Sequence, residues 1–527
     1  MSGIHSTHRI FAFIQARTGS TRLSGKILRD IPPGSGITLI DHIALRLGKI
    51  LPADRIIFLI PDGDSGLLEF CKSRHYLSFT GPEEDVRERY ILAAKAHNAE
   101  IILRLTGDNP FIDLLHTELL IEAFVNSPID IASFYGLPIG MGIEIFSTKS
   151  LIAEPESGLE PRHREHVSLH LKEETERFQF LKLKPILDDS EINCSEKIRM
   201  TIDEIADFQL LEKVFSELCN ENQFFGARDV IALYKEKAPL FSLNENVNQV
   251  LFPVKRSSVK TKKKIFILYA NPEKTGSGHF ERCKILFVKL QTRGYEVSMS
   301  DSLDILMDYD LFIIDHRDIA IPEAIREKNI LLIDNFGSDR KLVPHHDVLP
   351  NPEVDFNETL GNLLFPSIID FYNSIETEKI ILIYSGNMDK ELIRGLDESL
   401  VKNFGDQFRI VRIGNAPSEQ KIELHSRVSR KEYFELLAKA EFFISYFGQS
   451  IMEAIYLQKR IALFSISDYH EKLGDFLSQG TGILHIGNVR KKNIPELLDL
   501  NEIEKPKIRI RNEGYNILLE KIGRLCP

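Results

Sequence analysis

Short apolar runs punctuate the chain from its first residues. RIFAFI, DRIIFLI, AEIILRL, DIASF, IEIFS and QFLKLK are blocks of strand length, rich in β-branched and aromatic residues. Between them, stretches such as TLIDHIALRLGKIL and EDVRERYILAAKAHN repeat their apolar residues at helical spacing, the signature of a helix with one buried face. Strands alternating with helices predict an α/β fold, a largely parallel sheet wrapped by helices. The pattern restarts near residue 264. KKKIFILYANP reads as a strand and ERCKILFVKLQTRGY as a helix, followed by the strand-like DYDLFIIDH, KNILLIDNF, KIILIYSGN, FRIVRIG, AEFFISYFG and KRIALFSI.

Between the two series, LFPVKRSSVKTKKK is polar and basic and has no apolar period, so residues 245–263 are expected to be a linker. The basic run from Lys260 to Lys264 belongs to that solvated linker rather than to a phosphate- or membrane-binding patch. Residues 1–244 then form a first domain. Residues 264–370 and 371–527 form two lobes of a second, with NETLGNLLFPSIIDFYNSIE expected as a helix bridging them.

The length of 527 residues fits about two to four domains. A net charge of −11 argues against general nucleic-acid binding, which needs a basic surface to replace counterions. The five cysteines are scattered without a CxxC pair, so neither a disulfide framework nor a zinc site is expected and a reducing cytoplasm fits. MSGIHSTHR has no apolar core of a signal peptide, and no run approaches the roughly 20 residues of a membrane span.

Candidate chemistry begins at AFIQARTGSTRLSGKIL. Arg17, Arg22 and Lys26 recur within ten residues, on a loop that leaves the first strand. Gly19 and Gly25 allow close backbone approach to an anion, and parallel α/β sheets bind ligands at this edge. Three cations suit a triphosphate better than one phosphate; neither a Walker A loop nor GxGxxG is present. ILRLTGDNPFID places Asp108 after a second strand, and KIRMTIDEIADFQLL places Asp203 after another. Either aspartate alone reads as a helix cap. Together with the cationic loop they favour a shared Mg²⁺.

IQARTGSTRLSGKIL resembles the signature of the spore coat polysaccharide cytidylyltransferases, the SpsF family, related to the CMP-sialate and CMP-KDO synthetases. GPEEDVRERY, LRLTGDNPFID, IGMGIEIFS, RHREHVSLHL and RMTIDEIADFQLLEKVF match in order, and the likeness spans about residues 9–220. Ser24 stands where the family usually has Pro. The resemblance implies a GT-A-like, Rossmann-like nucleotidyltransferase domain. It implies that Arg17, Ser20, Arg22 and Lys26 hold the CTP phosphates, with Ala16, Gly19, Arg104 and Gly107 beside the nucleotide. Asp108 and Asp203 would hold Mg²⁺, and Arg164, Glu165 and His166 would lie near the acceptor sugar, His166 reading equally as a structural hydrogen bonder.

In the second series, GSGHFERC sits after the first strand. As a bare pattern it is a Gly-rich turn, with Gly276 and Gly278 admitting a ligand and His279 as a general base or a packed helix-start residue. It resembles GxGHxxRC of the PseG and SpsG nucleotide-sugar proteins, which implies a two-lobed GT-B architecture related to MurG. FFISYFGQSIMEAIYLQKRIALF resembles the family's nucleotide-gripping segment, which implies nucleotide binding by Ser450 and Glu453; Lys459 stands where Gly is usual. Asp315 is a further candidate or a strand-end cap.

The expectation is a bifunctional cytoplasmic enzyme of surface-polysaccharide sugar activation. Its first half would transfer CMP from CTP to a sugar acid, and its second would hydrolyse a UDP-sugar precursor. The alternatives are a CDP-sugar or CDP-polyol product from a phosphorylated acceptor, fused to a glycosyltransferase or to an inactive nucleotide-sugar-binding module. A homodimer is carried as the candidate assembly.

Overall fold

The computed structural model describes residues 9–19, 22–247, 262–272, 277–303, 308–317, 319–350, 360, 362–373, 375–386, 388, 390–426, 428–491 and 500–527. They form two compact units, Met1–Thr261 with Gln291–Arg293, and Lys262–Leu290 with Gly294–Pro527. Most of the expected linker, 248–261, and the residues Ser20 and Gly276 lie outside the described residues.

The first unit is built on seven strands: β1 Ile10–Gln15, β2 Ile56–Pro61, β3 Leu77–Gly81, β4 Ile101–Thr106, β5 Ile131–Phe134, β6 Glu144–Ser147 and β7 Phe180–Leu183. They lie in the order β3-β2-β1-β4-β6-β5-β7. All pairs are parallel except those of β6, which runs antiparallel between β4 and β5. Every residue of β2 and all but the last of β1 are buried. Apolar side chains therefore point to both faces, as a sheet covered on both sides requires, and two apolar clusters fill the space between sheet and helices.

In register, Gln15 of β1 lies beside Leu59 and Thr106, so the loops after β1 and β4 leave the same edge side by side. Gly107 N–H donates to Gln15 O at 2.9 Å. A Cβ on Gly107 would come within 3.2 Å of Ala16 Cβ, so this close approach needs glycine.

The strand expected ahead of Asp203 is reduced to one bridge, Ile139 to Arg199, with Met200 N–H donating to Ile139 O. Gly140 explains the crossing. Its φ is +90°, and a Cβ there would sit 2.7 Å from the Met200–Thr201 backbone.

The second unit holds two fully parallel sheets. One comprises β8 Lys264–Tyr269, β9 Glu296–Ser300, β10 Leu311–Asp315, β11 Ile330–Ile333 and β12 His345–His346, in the order β12-β11-β10-β8-β9. The other comprises β13 Ile380–Gly386, β14 Arg409–Gly414, β15 Glu423–His425, β16 Phe442–Tyr446, β17 Arg460–Ser465 and β18 Leu484–Asn488, in the order β15-β14-β13-β16-β17-β18. Each sheet has its own apolar cluster. The long bridging helix expected between them does not form over its described residues. Pro366 interrupts it, and only a 3₁₀ turn, Ser367–Tyr372, follows.

Candidate functional site

The loop after β1 ends at Gly25, whose φ of 63° lets the chain turn into the short 3₁₀ helix Lys26–Leu28. That turn carries Lys26 inward, to 9% exposure. Its Nζ stands 3.3 Å from Asp108 Oδ2 and 3.4 Å from Asp203 Oδ1, and it also donates to Ile202 O. Arg22 Nη2 donates to the same Asp203 Oδ1 at 2.7 Å. The structure thus brings together four residues from three separate segments. Thr18 anchors the loop through its N–H and hydroxyl to Asp64, which also caps the helix Ser65–Ser73. Arg17 and Gly19 are exposed on the same loop, while Ala16 is buried against Gly107.

Asp203 has a further partner that the motif alone does not disclose. Arg199 Nη2 donates to Asp203 Oδ2 at 2.5 Å, and Arg199 Nε donates to Asp207 Oδ1 at 3.0 Å. Asp207 is fully buried and also accepts from Asn244 Nδ2 and from the N–H groups of Asp203 and Glu204. Burial raises the Asp203 pKa, but Lys26, Arg22 and Arg199 outweigh it and hold the carboxyl below its ordinary range. Asp108 is fixed by Thr106 Oγ1 at 2.5 Å, and its backbone oxygen accepts from Ile202 N–H at 3.0 Å.

Two carboxylates facing one Nζ form an incomplete cage. Among the described residues no three His, Cys, Asp or Glu side chains cluster as a metal site. The pair fits a hard cation that takes few protein ligands and completes its shell with phosphate oxygens and water, as Mg²⁺ does.

Beside Thr106 a cavity of about 280 Å³ opens between the ends of β4, β5 and β6, lined among others by Arg104, Asn109, Gly140 and Glu144. Arg104 and Glu144 are cross-strand partners, with Nη1 3.3 Å from Oε2. Ser168 Oγ donates to the same oxygen at 2.7 Å, and Lys172 pairs with Oε1. Burial would raise the Glu144 pKa; Lys172 and Arg104 reverse this and hold it near 2. Arg104 Nε and Asn109 Oδ1 are buried without a hydrogen-bond partner.

The chain just beyond the RHREHV stretch reaches Glu144 through Ser168 and Lys172. Arg164 pairs with Asp85, Glu165 is exposed and His166 is half-buried; none of the three lines the cavity.

In the second unit, Gly278 opens the helix Gly278–Thr292 with open space at its Cβ position. Next to it, His279 is 8% exposed, with Nδ1 2.7 Å from Asp315 Oδ1 at the end of β10. Arg282 Nε donates to Asp315 Oδ2 at 2.5 Å, and Arg282 also pairs with Asp334. Burial would raise the Asp315 pKa, but Arg282 and then His279 hold it down to about 2. Arg282 Nη2 also lies 2.8 Å from His279 Nδ1, so both a carboxylate and a guanidinium face that nitrogen. At the end of β16, the helix Gln449–Tyr456 carries Ser450, whose Oγ lies 3.5 Å from Ser445 Oγ, and Glu453. Burial pushes the Glu453 carboxyl up to about 7, only partly opposed by Tyr433, Arg430 and Gln449. Arg430 pairs with Glu281, two residues beyond His279 on its helix. Arg199, Asp207, Glu144 and Lys172 are not apparent from motif spacing, because each acts through side-chain hydrogen bonds or ion pairs that only the fold sets up.

Residues 11–237 match the model of a cytidylyltransferase family. An uncharacterized protein of Methanocaldococcus jannaschii is 31% identical over 246 residues, 46% of this chain and 96% of its own length. The spore coat polysaccharide biosynthesis protein SpsF of Bacillus subtilis is 29% identical over 231 residues, 42% of this chain and 93% of its own. A solved cytidylyltransferase from Leptospira borgpetersenii is 30% identical, covering 47% of this chain and 100% of that one, with a TM-score of 0.39.

Proposed function

We propose that this chain, which belongs through residues 11–237 to the cytidylyltransferase family, transfers CMP from CTP to a hydroxyl of a sugar acid for surface-polysaccharide synthesis. The observation that carries the reading is Lys26 Nζ, poised within 3.4 Å of both Asp108 and Asp203 at the edge where the cationic loop leaves the sheet. The acceptor oxygen bonds to the α-phosphorus as the bond from that phosphorus to the bridging oxygen of the β-phosphate breaks; the hydroxyl proton passes to solvent water and pyrophosphate departs. Lys26, Arg22 and Arg17 offset the charge that builds on the leaving group. Magnesium held by Asp108 and Asp203 would add Lewis-acid stabilisation of the phosphate oxygens.

The cavity beside Thr106 is lined by Arg104, whose Nε is buried without a hydrogen-bond partner, a donor that suits an anionic acceptor. A phosphorylated sugar or polyol, giving a CDP product, is the competing acceptor. Incubation with CTP, Mg²⁺ and a panel of keto sugar acids and phosphorylated sugars, with pyrophosphate as the readout, separates the two. Mg²⁺-dependent pyrophosphate release that survives Asp108→Ala overturns the reading.

For the second unit the reading is hydrolysis of a UDP-sugar, with His279 activating water and Ser450 and Glu453 at the nucleotide. Its support is the Asp315 carboxylate on His279 Nδ1. Lys459, the departure from the family's glycine, is buried with Nζ on Ala438 O, so it serves packing. Release of free sugar without an acceptor distinguishes hydrolysis from glycosyl transfer.

A further inference from the structure

Asp203 carries three cations of two different kinds. Arg199 is built in: its side chain is 9% exposed and is locked to Asp207, which is itself held by Asn244 and two backbone N–H groups. Arg22 and Lys26 belong to the cationic loop. The Arg22 side chain is 53% exposed and reaches Asp203 Oδ1 from the solvent side. Arg199 holds Oδ2, so Oδ1 is the oxygen shared by Arg22 and Lys26. With Arg199 matched by Asp207, Arg22 and Lys26 neutralise Asp203 and Asp108 one for one.

Resting on the cytidylyltransferase reading, we propose that Arg22 and Lys26 are exchangeable counter-ions that stand in for the divalent cation on Asp203 and Asp108, and that the triphosphate draws them away as it enters. Two consequences follow from electrostatics. A divalent cation arriving alone meets carboxylates already neutralised and two positive charges within 3.4 Å of them. A triphosphate arriving with it supplies the negative charge to which Arg22 and Lys26 can move, leaving Oδ1 open. Metal and CTP binding are therefore positively coupled, and each must raise the affinity of the other by the same factor. Arg199 keeps Asp203 in place through the exchange, as a positioning residue.

The test uses Mn²⁺ as the probe, followed by electron paramagnetic resonance on the full chain without nucleotide. Arg22→Ala removes the exposed counter-ion without disturbing the buried network, and is expected to bind Mn²⁺ about fivefold more tightly than the unaltered protein. Arg22→Lys, which keeps the charge, is expected to behave as the unaltered protein. CTP is expected to tighten Mn²⁺ binding by the unaltered protein about tenfold or more, and by Arg22→Ala less. Equal Mn²⁺ affinities in the three nucleotide-free proteins overturn the exchange even if CTP is turned over. Absence of CTP turnover with every acceptor instead overturns the catalytic reading, and leaves the Mn²⁺ comparison to decide the exchange independently.

Discussion

Arg104 and Glu144 face each other across the antiparallel β4–β6 pair, Nη1 3.3 Å from Oε2, at the wall of the cavity beside Thr106 and Asn109. Glu144 is the hub of that wall, because Ser168 and Lys172 converge on the same carboxylate. Glu144→Gln leaves two cations without their shared partner, and is expected to destabilise the protein by about 2 kcal/mol at pH 7. A carboxyl held low in the fold stabilises fully above its unfolded pKa and loses that contribution as the pH falls toward the folded value. For Glu144 the window runs from about 4.5 down to about 2. The gap in melting temperature between wild type and variant should therefore be constant above pH 5 and shrink below it. In steady-state assays the variant should raise KM for the acceptor and leave KM for CTP unchanged.

Lys26 and Asp203 make the second prediction. Lys26→Met removes the ammonium from both carboxylates and from the leaving group's path, and kcat is expected to fall by about 10²–10³. Asp203→Asn should reduce pyrophosphate release on the same scale while far-UV circular dichroism stays unchanged. Asp207→Asn, which reaches the site only through Arg199 and the Asp203 N–H, should cost less in kcat than Asp203→Asn and more in melting temperature.

How much of this was legible in the sequence depends on which interactions are local. The apolar runs of β1 and β2 announce a sheet buried on both faces, and the spacing of Arg22 and Lys26 marks a cationic loop at its edge, which the structure sets against Asp108 and Asp203. Asp108 and Asp203 stand out because carboxylates just after apolar runs invite a cation. Glu144 reads only as a polar position in IEIFS; its importance appears with the cross-strand register that sets it opposite Arg104. The RHREHVSLHL stretch reads as lying near an acceptor sugar; helix geometry turns Ser168 and Lys172 toward Glu144 on the sheet and Arg164 toward Asp85. Arg199 sits in what reads as a strand, and the structure keeps only one bridge there because Gly140 must pass beneath Met200 and Thr201.

That crossing carries a prediction of its own. Gly140→Ala places a methyl group 2.7 Å from backbone atoms and demands a positive φ of a residue with a Cβ. A cost of about 2–4 kcal/mol is expected from strain and displacement together. Because the displaced segment carries Arg199 and Asp203, activity should fall more steeply than the fraction folded, read from CTP turnover and a melting curve on the same sample.

In the second unit, His279→Ala and Asp315→Asn separate base chemistry from structure. Asp315→Asn keeps the shape but removes the carboxylate beside His279 Nδ1 that would stabilise a positive charge on the imidazole. Both variants should reduce UDP-sugar hydrolysis by at least about 10², and neither should alter pyrophosphate release from CTP. Equal loss of both activities would contradict the division of chemistry between the units.

Glu453 gives the last expectation, and its sign is opposite to that of Glu144. Burial raises its pKa from 4.5 to about 7, so between these values the folded protein holds a proton that the unfolded chain has released. Stability must then decline as the pH climbs through this window, and the full penalty is present above pH 7. Glu453→Gln removes the charge that has to be desolvated. It should raise the melting temperature at pH 8 and leave it nearly unchanged at pH 4.5, a difference of about 3 kcal/mol between the two conditions. A nucleotide sugar that hydrogen-bonds to the ionised carboxylate would pull the pKa back down. Saturating UDP-sugar should then flatten the pH dependence in wild type and have no such effect in the variant, and a wild-type profile that stays steep under saturating ligand would place Glu453 outside the binding site.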